Sequence, residues 1–132
     1  MKTVTLFDRS DVDWKSDPGM VIVSLEELTA ALAHRINGRP RIFELLAPNG
    51  ARLLIGLGGA YATAHFEFHS AETSWDAKTG SVRVSDDAEF LLGATPTPIA
   101  SDYLLSPEEA TDIAKYFFET GERNPTAEWD QA

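Results

Sequence analysis

The sequence contains no cysteine in its 132 residues. This absence excludes a disulfide framework, a thiolate metal site and a cysteine nucleophile. The first residues also lack the apolar stretch of about 7–15 residues that a secretory signal needs, and no later run approaches the roughly 18 apolar residues of a membrane span. We therefore expect a cytoplasmic protein that does not enter a membrane.

Positive charge is scarce as well. Lysine and arginine number 11 against 21 aspartates and glutamates, which gives a formal net charge of −10. Such a field repels phosphate backbones and anionic lipids, so nucleic acid is not an expected partner, whereas encounter with a basic protein is accelerated. Hydrophobic residues make up 43% of the chain, and the length fits one domain over residues 1–132.

Complete catalytic motifs are missing: there is no phosphate-binding loop, no Gly-x-Ser-x-Gly and no His-Glu-x-x-His. The nearest constellation is His65-x-Glu67-x-His69, whose residues would share one face of a strand and could present two imidazoles and a carboxylate to a metal ion. Alternating polar residues on a half-exposed strand are the default explanation. We expect no catalysis, cofactor or metal. The alternatives are a metal-dependent enzyme built on these three residues and a structural subunit of a larger assembly.

The first third of the chain predicts a short strand, a loop and a helix. Val4 and Leu6 would point the same way in a strand, and residues 8–19 are polar and turn-rich. Ser24 and Glu27 have the spacing of a capping box, which starts a helix. The apolar stripe of this helix consists of Leu25, Leu28, Leu32 and Ile36.

The central section predicts strands. Residues 41–47 and 52–57 are apolar runs joined through Pro48-Asn49-Gly50, which favours a tight antiparallel hairpin. Residues 61–69 alternate between apolar and polar side chains, as a half-buried strand does. We interpret residues 70–80 as a loop that carries Trp75, followed by strands around Val82 and Val84 and over residues 88–92.

The last third predicts a second helix with well-marked ends. Residues 95–98 would lead to it, Ser106, Pro107 and Glu109 form a capped start, and Gly121 is a left-handed stop. Residues 126–129 alternate again and predict a final strand. These elements predict an α+β fold in which two principal helices pack on one face of a mainly antiparallel sheet.

Two stretches resemble immunity-protein family one of bacterial polymorphic toxin systems. They are residues 106–110 (SPEEA) with 117–129 (FFETGERNPTAEW), and residues 48–50 (PNG) with 53–59 (LLIGLGG). The family's proline directly follows the basic residue, whereas Asn124 here separates Arg123 from Pro125, which affects the turn before the last strand. Thr120-Gly121 and Trp129 match structural positions, a helix stop and a buried strand anchor.

The resemblance implies an α+β protein made beside a toxin, often a nucleic-acid deaminase or nuclease, which it neutralises by direct binding inside the producing cell. It supplies no catalytic residues. Acidic loop residues with a tryptophan anchor are our candidate contacts for a basic active-site cleft. These candidates are Asp11, Asp13, Asp17, Glu72, Trp75, Asp76, Asp86 and Asp87.

Overall fold

A computed structural model describes residues 2–10, 13–35, 40–68, 73–78 and 88–132. Its helices and strands are β1 (Val4–Asp8), β2 (Met20–Ile22), α1 (Leu25–Arg35), β3 (Arg41–Leu46), β4 (Ala51–Leu57), β5 (Thr63–Phe68), β6 (Thr73–Lys78), β7 (Ala88–Leu92), β8 (Thr95–Ile99), α2 (Pro107–Thr120) and β9 (Glu128–Gln131). Short 3₁₀ turns occupy Trp14–Ser16 and Ser101–Tyr103.

The strands of the described ranges form one sheet in the order β2-β1-β3-β4-β5-β6-β9. Every neighbouring pair in this order is antiparallel. The hairpin of β7 and β8 joins through a single parallel pair, Arg41 with Leu91. The sheet is therefore mainly antiparallel, as expected, with β2 and β9 at its two ends.

Both helices pack on the same face of the sheet. Leu28 of α1 and Phe117 of α2 belong to one buried cluster with Phe43, Ile55 and Phe66, and each of these side chains is at most 1% exposed. Alternate residues of a strand share a face, so the apolar residues of β3, β4 and β5 supply one continuous floor. This arrangement confirms the predicted α+β class.

The ends of α2 follow the sequence signals. Ser106 Oγ accepts the Glu109 N–H at 3.1 Å, and Glu109 Oε1 accepts the Ser106 N–H at 3.0 Å, which completes the capping box. Gly121 has a φ of 72° and donates its N–H to Phe117 O at 2.7 Å. Helix α1 is capped by Ser24, whose Oγ accepts the Glu27 N–H at 3.1 Å.

The hairpin of β3 and β4 is also confirmed. Ala47 donates its N–H to Ala51 O at 2.9 Å, Gly50 has a φ of 89°, and Asn49 Oδ1 accepts the Ala51 N–H at 2.9 Å. The Asn-Gly pair therefore provides both the backbone geometry and a side-chain bond that closes the turn.

One prediction was wrong and one segment contains a strand that was not predicted. The segment predicted as a loop over residues 70–80 contains β6, so Trp75 lies on a strand. Residues 95–98, to which the sequence assigned no element, belong to strand β8, which over the described ranges pairs with β7 alone and thus tolerates Pro96 and Pro98 at a sheet edge. In both cases pairing with a neighbouring strand outweighs a polar or proline-rich composition.

Smaller differences concern element boundaries. Strand β2 was not predicted, the final strand lies at Glu128–Gln131 instead of residues 126–129, and β5 begins at Thr63 instead of residue 61. The expected wet face of β5 is partly closed, because Thr63 is only 6% exposed. The predictions for Ile36, Val82 and Val84 lie outside the described residues.

Candidate functional site

The face of the sheet away from the helices carries a row of polar side chains in register. Glu44 of β3 is paired with Leu54 of β4, and Leu54 is paired with His65 of β5. His65 is paired in turn with Asp76 of β6, and Asp76 with Asp130 of β9. Paired residues point to the same side of a sheet, so this row crosses five strands. We call Glu44, His65, Asp76 and Asp130 the polar row.

His65 is held between two carboxylates. Its Nδ1 lies 2.8 Å from Asp76 Oδ1, and its Nε2 lies 3.6 Å from Glu67 Oε2. An imidazole oriented by an aspartate supplies two of the three members of a hydrolytic triad. In such a triad the second ring nitrogen faces the hydroxyl or thiol of the nucleophile. Here it faces a carboxylate, so the arrangement suits a hydrogen-bonded contact between β5 and β6 better than nucleophile activation.

Asp130 joins β9 to β6 and to the 3₁₀ turn Ser101–Tyr103. Its Oδ2 accepts the Tyr103 hydroxyl at 3.0 Å and lies 3.4 Å from Lys78 Nζ. The hydrogen bond to Asp130, followed by burial, raises the pKa of Tyr103 above its ordinary value. The negative charge of Asp130 and then its hydrogen bond raise the pKa of Lys78. Both groups are thus held in their protonated forms.

Glu44, at the other end of the row, is part of a structural ion pair. Its carboxylate accepts Arg9 Nε at 3.3 Å and Arg9 Nη2 at 3.2 Å, and the two side chains are 8% and 15% exposed. Arg41 lies 3.5 Å from Asp8 beside this pair. The buried end of the row therefore joins β1 to β3, and only the end formed by His65, Asp76 and Asp130 is open enough to meet a ligand.

Three of the predicted contact residues fall into different environments. Asp13 is exposed, whereas Asp17 is engaged by the backbone, since its carboxylate accepts the N–H groups of Asp8 at 2.8 Å and Gly19 at 2.9 Å. Asp76 belongs to the polar row on the helix-free face. Asp11, Glu72, Asp86 and Asp87 lie outside the described residues.

Trp75 is not brought together with Asp76, because adjacent residues of β6 point to opposite faces. The indole packs against Phe66 of the main core with ring centroids 5.8 Å apart. The guanidinium carbon of Arg123 lies 4.0 Å from the centroid of the Trp75 ring. These contacts explain Trp75 by packing within the chain, as they do Trp129, whose Nε1–H donates to Asn124 O at 2.9 Å.

Two of the three residues of the metal hypothesis, His65 and Glu67, are described by the structure. Within the described ranges, no group of three histidine or acidic side chains is arranged to hold a metal ion. His69, the third member of the predicted set, lies outside those ranges. The hypothesis therefore stays a prediction.

A groove of about 410 Å³ lies between the two helices, lined by apolar side chains such as Leu28, Leu32 and Leu57. Its polar lining residues are Thr29, Thr111 and Lys115, and the two threonine hydroxyls donate within their own helices, to Leu25 O and Pro107 O. Small-molecule sites combine an apolar lining with a few convergent polar groups. This groove offers the first of these features.

Exposed charge is predominantly negative. Among the side chains that the structure describes, which do not include that of Arg35, the exposed basic ones are Lys2 and Lys15. The exposed acidic side chains are Asp13, Glu26, Glu89, Asp102, Glu108, Asp112, Glu122 and Glu128. Most other described cations face the protein's own groups, as Arg9, Arg41, Lys78 and Arg123 do. The acidic composition is therefore also an acidic surface.

The sequence interpretation missed two features. Tyr103 and Asp130 are 27 residues apart and meet only through tertiary packing. Met20, Val21 and Val23 are exposed on and just after β2, and the apolar run that follows Pro18-Gly19 was the available signal for that strand.

No known family model matches the chain, and no curated protein matches it. The resemblance to immunity-protein family one is thus without support from a family match and stays a prediction. No helix in the described ranges has the length and apolar character to cross a membrane.

Proposed function

We propose that this protein is an immunity protein that binds a cognate bacterial toxin and blocks its active-site cleft, without making or breaking a bond itself. The observation that carries the proposal is the exposed charge, eight acidic side chains against two lysines among the described residues. A surface of one sign steers encounter with a partner of the opposite sign and rejects partners of the same sign.

The chemistry of the partner follows from that sign. Enzymes that act on nucleic acids surround their active sites with basic residues that attract phosphate. An acidic protein that covers such a site competes electrostatically with the substrate. The proposed partner is therefore a basic deaminase or nuclease domain, met inside the cell that produces both proteins.

Two further considerations support binding over catalysis. The one histidine in the polar row has both ring nitrogens facing carboxylates, at 2.8 Å and 3.6 Å. The resemblance of residues 106–129 to immunity-protein family one points to the same role. The carboxylates at the open end of the polar row, Asp76 and Asp130, and the exposed residue Asp13 are the described groups that fit this use.

The test is co-expression with the product of the gene immediately beside this one. We expect the wild-type chain to rescue the host from the toxicity of that product and to co-purify with it. A Phe43→Asp variant is the control, because a charge placed at a fully buried position unfolds the core and should abolish rescue.

Failure of the wild-type chain to rescue or to form the complex contradicts the proposal. So does stoichiometric zinc or iron in the purified protein together with substrate turnover, which would favour the metal-dependent enzyme. Elemental analysis of the isolated chain provides that measurement.

A further inference from the structure

Exposed hydrophobic side chains are concentrated at one end of the sheet. Among the described residues, four large hydrophobic side chains are exposed: Met20 (37%), Val21 (61%), Val23 (46%) and Leu92 (41%). Three of the four lie on or directly after β2. Scattered exposed hydrophobics are ordinary, but these three lie along one strand edge, with Met20 on one face of the sheet and Val21 on the other.

Strand β2 is also the end of the hydrogen-bonded ladder. Over the described ranges it pairs with β1 on one side and with no strand on the other. Native proteins usually protect such edges with charges or prolines within the strand. Met20, Val21 and Ile22 provide neither.

The pairing of β2 with β1 determines which backbone N–H and C=O groups of β2 point away from the sheet. Arg9 donates its N–H to Ile42 O of β3 at 2.9 Å, whereas the Asp8 N–H points to the β2 side, where Asp17 accepts it at 2.8 Å. Amides alternate along a strand, so Thr5 also faces β3. Val21 lies opposite Thr5, and its N–H and C=O therefore point away from the sheet.

The flanks of this edge are acidic. Residues 13–27 contain Asp13, Asp17, Glu26 and Glu27 against the single cation Lys15. Asp13 and Glu26 are exposed on either side of the apolar stretch. A complementary strand would be apolar at its centre and basic at its ends.

We propose that β2 is the docking edge for an extended segment of the toxin, which adds to the sheet as a further strand and places basic residues against Asp13 and Glu26. This inference rests on the proposed function. A second copy of this chain is the less suitable occupant, because it would bring the same acidic flanks and the same net charge of −10 to the contact. Strand addition takes affinity from backbone hydrogen bonds and specificity from alternate side chains.

Val21→Pro is the discriminating variant. Proline removes the outward N–H of Val21, which the ladder to β1 does not use, and prolines are tolerated at that side of an edge strand. Val21→Thr is the matched control, because it is similar in size and keeps the N–H. We expect affinity for the product of the adjacent gene to fall by roughly tenfold or more in Val21→Pro, the equivalent of about one intermolecular hydrogen bond, and to stay within a few-fold in Val21→Thr.

Hydrogen exchange on the wild-type complex provides a second measurement that needs no variant. The Val21 amide should exchange freely in the isolated protein and become protected when the partner is bound. Thermal melting of each variant alone establishes that its fold is retained, and if Val21→Pro unfolds, the protection of Val21 decides.

The outcomes separate the two proposals. If wild type forms no complex, the proposed function fails. If the complex forms, Val21→Pro binds as tightly as Val21→Thr and the Val21 amide stays unprotected, the docking edge alone is wrong. A wild-type dimer that Val21→Pro dissociates would identify a second copy as the occupant and overturn the inference.

Discussion

Ala94 is the one residue other than glycine with a positive φ in the described ranges, at 64°. It follows Gly93, whose φ is 57°, and the two residues form the whole loop between Leu92 and Thr95. Two successive left-handed residues are typical of a type I′ hairpin. The loop is held in place because Gly93 and Ala94 donate their N–H groups to Arg9 O at 2.7 Å and Ser10 O at 2.6 Å.

We predict that Ala94→Gly raises the free energy of unfolding by about 1 kcal/mol, since the left-handed conformation is unfavourable for a residue with a Cβ. Ala94→Val should lower it, because a β-branched side chain is more hindered there. Urea denaturation of the three proteins measures both changes. A loss of stability in Ala94→Gly would show that the alanine is not strained.

The contacts of Asp130 with Tyr103 and Lys78 lead us to expect a pH dependence of stability that substitution of Asp130 removes. Its carboxylate raises the pKa of both Tyr103 and Lys78, so Asp130→Asn should lower both pKa values towards their ordinary values. Because the pKa of Tyr103 is raised in the folded state, its stabilising effect is present below the ordinary tyrosine pKa and is lost as the pH rises through the raised one. NMR titration of the tyrosine ring and the lysine side chain provides the measurement.

Glu108→Gln is the matched control for this titration, because Glu108 is exposed on α2, which packs on the other face of the sheet, and is not among the groups that shift either pKa. It should leave both pKa values unchanged. Equal shifts in the two variants would indicate a general effect of net charge in place of the contact with Asp130.

Among the helices and strands, α2 is the one whose ends are most clearly determined by residues next to them in the sequence. Ser106→Ala removes the acceptor for the Glu109 N–H and should lower the free energy of unfolding by about 1 kcal/mol. Ser106→Asp keeps an acceptor at the cap and should stay close to wild type. Urea denaturation is again the measurement, and equal destabilisation by alanine and aspartate would contradict the role of the cap.

The elements differ in how far the sequence could predict them. Helix α2 and the turn at Asn49-Gly50 are specified by residues within a few positions of each other, so both were found. Strand β6 and strand β8 depend on partners supplied by β5 and β7, and their own composition does not indicate a strand. The polar row was not found because its members come from separate strands.

At the scale of the whole molecule, the α+β class followed from the apolar stripes, but the position of β1 between β2 and β3 did not. Strand order is set by which buried surfaces fit together, and a single sequence does not show it. The acidic surface, in contrast, agrees with the composition, because most of the basic side chains that the structure describes contact other groups of the fold.

That surface predicts a salt dependence. If charge steers the encounter, the association rate with the adjacent gene product should fall by roughly tenfold between about 0.01 M and 0.1 M salt, as the Debye length shortens from about 30 Å to about 10 Å. The dissociation rate should change less. Stopped-flow measurements over this range provide the test, and an association rate that is independent of salt would remove the electrostatic part of the proposal.

The open edge at β2 also has a consequence for the protein on its own. Mutual repulsion keeps copies apart at neutral pH, but this repulsion vanishes near pH 4.6, the isoelectric point of the sequence. Exposed edges then become templates for uncontrolled aggregation. We expect turbidity to reach its maximum near that pH and to be weaker in Val21→Pro than in Val21→Thr. The strand that we propose as the docking edge would thus also determine the acidity at which the protein precipitates.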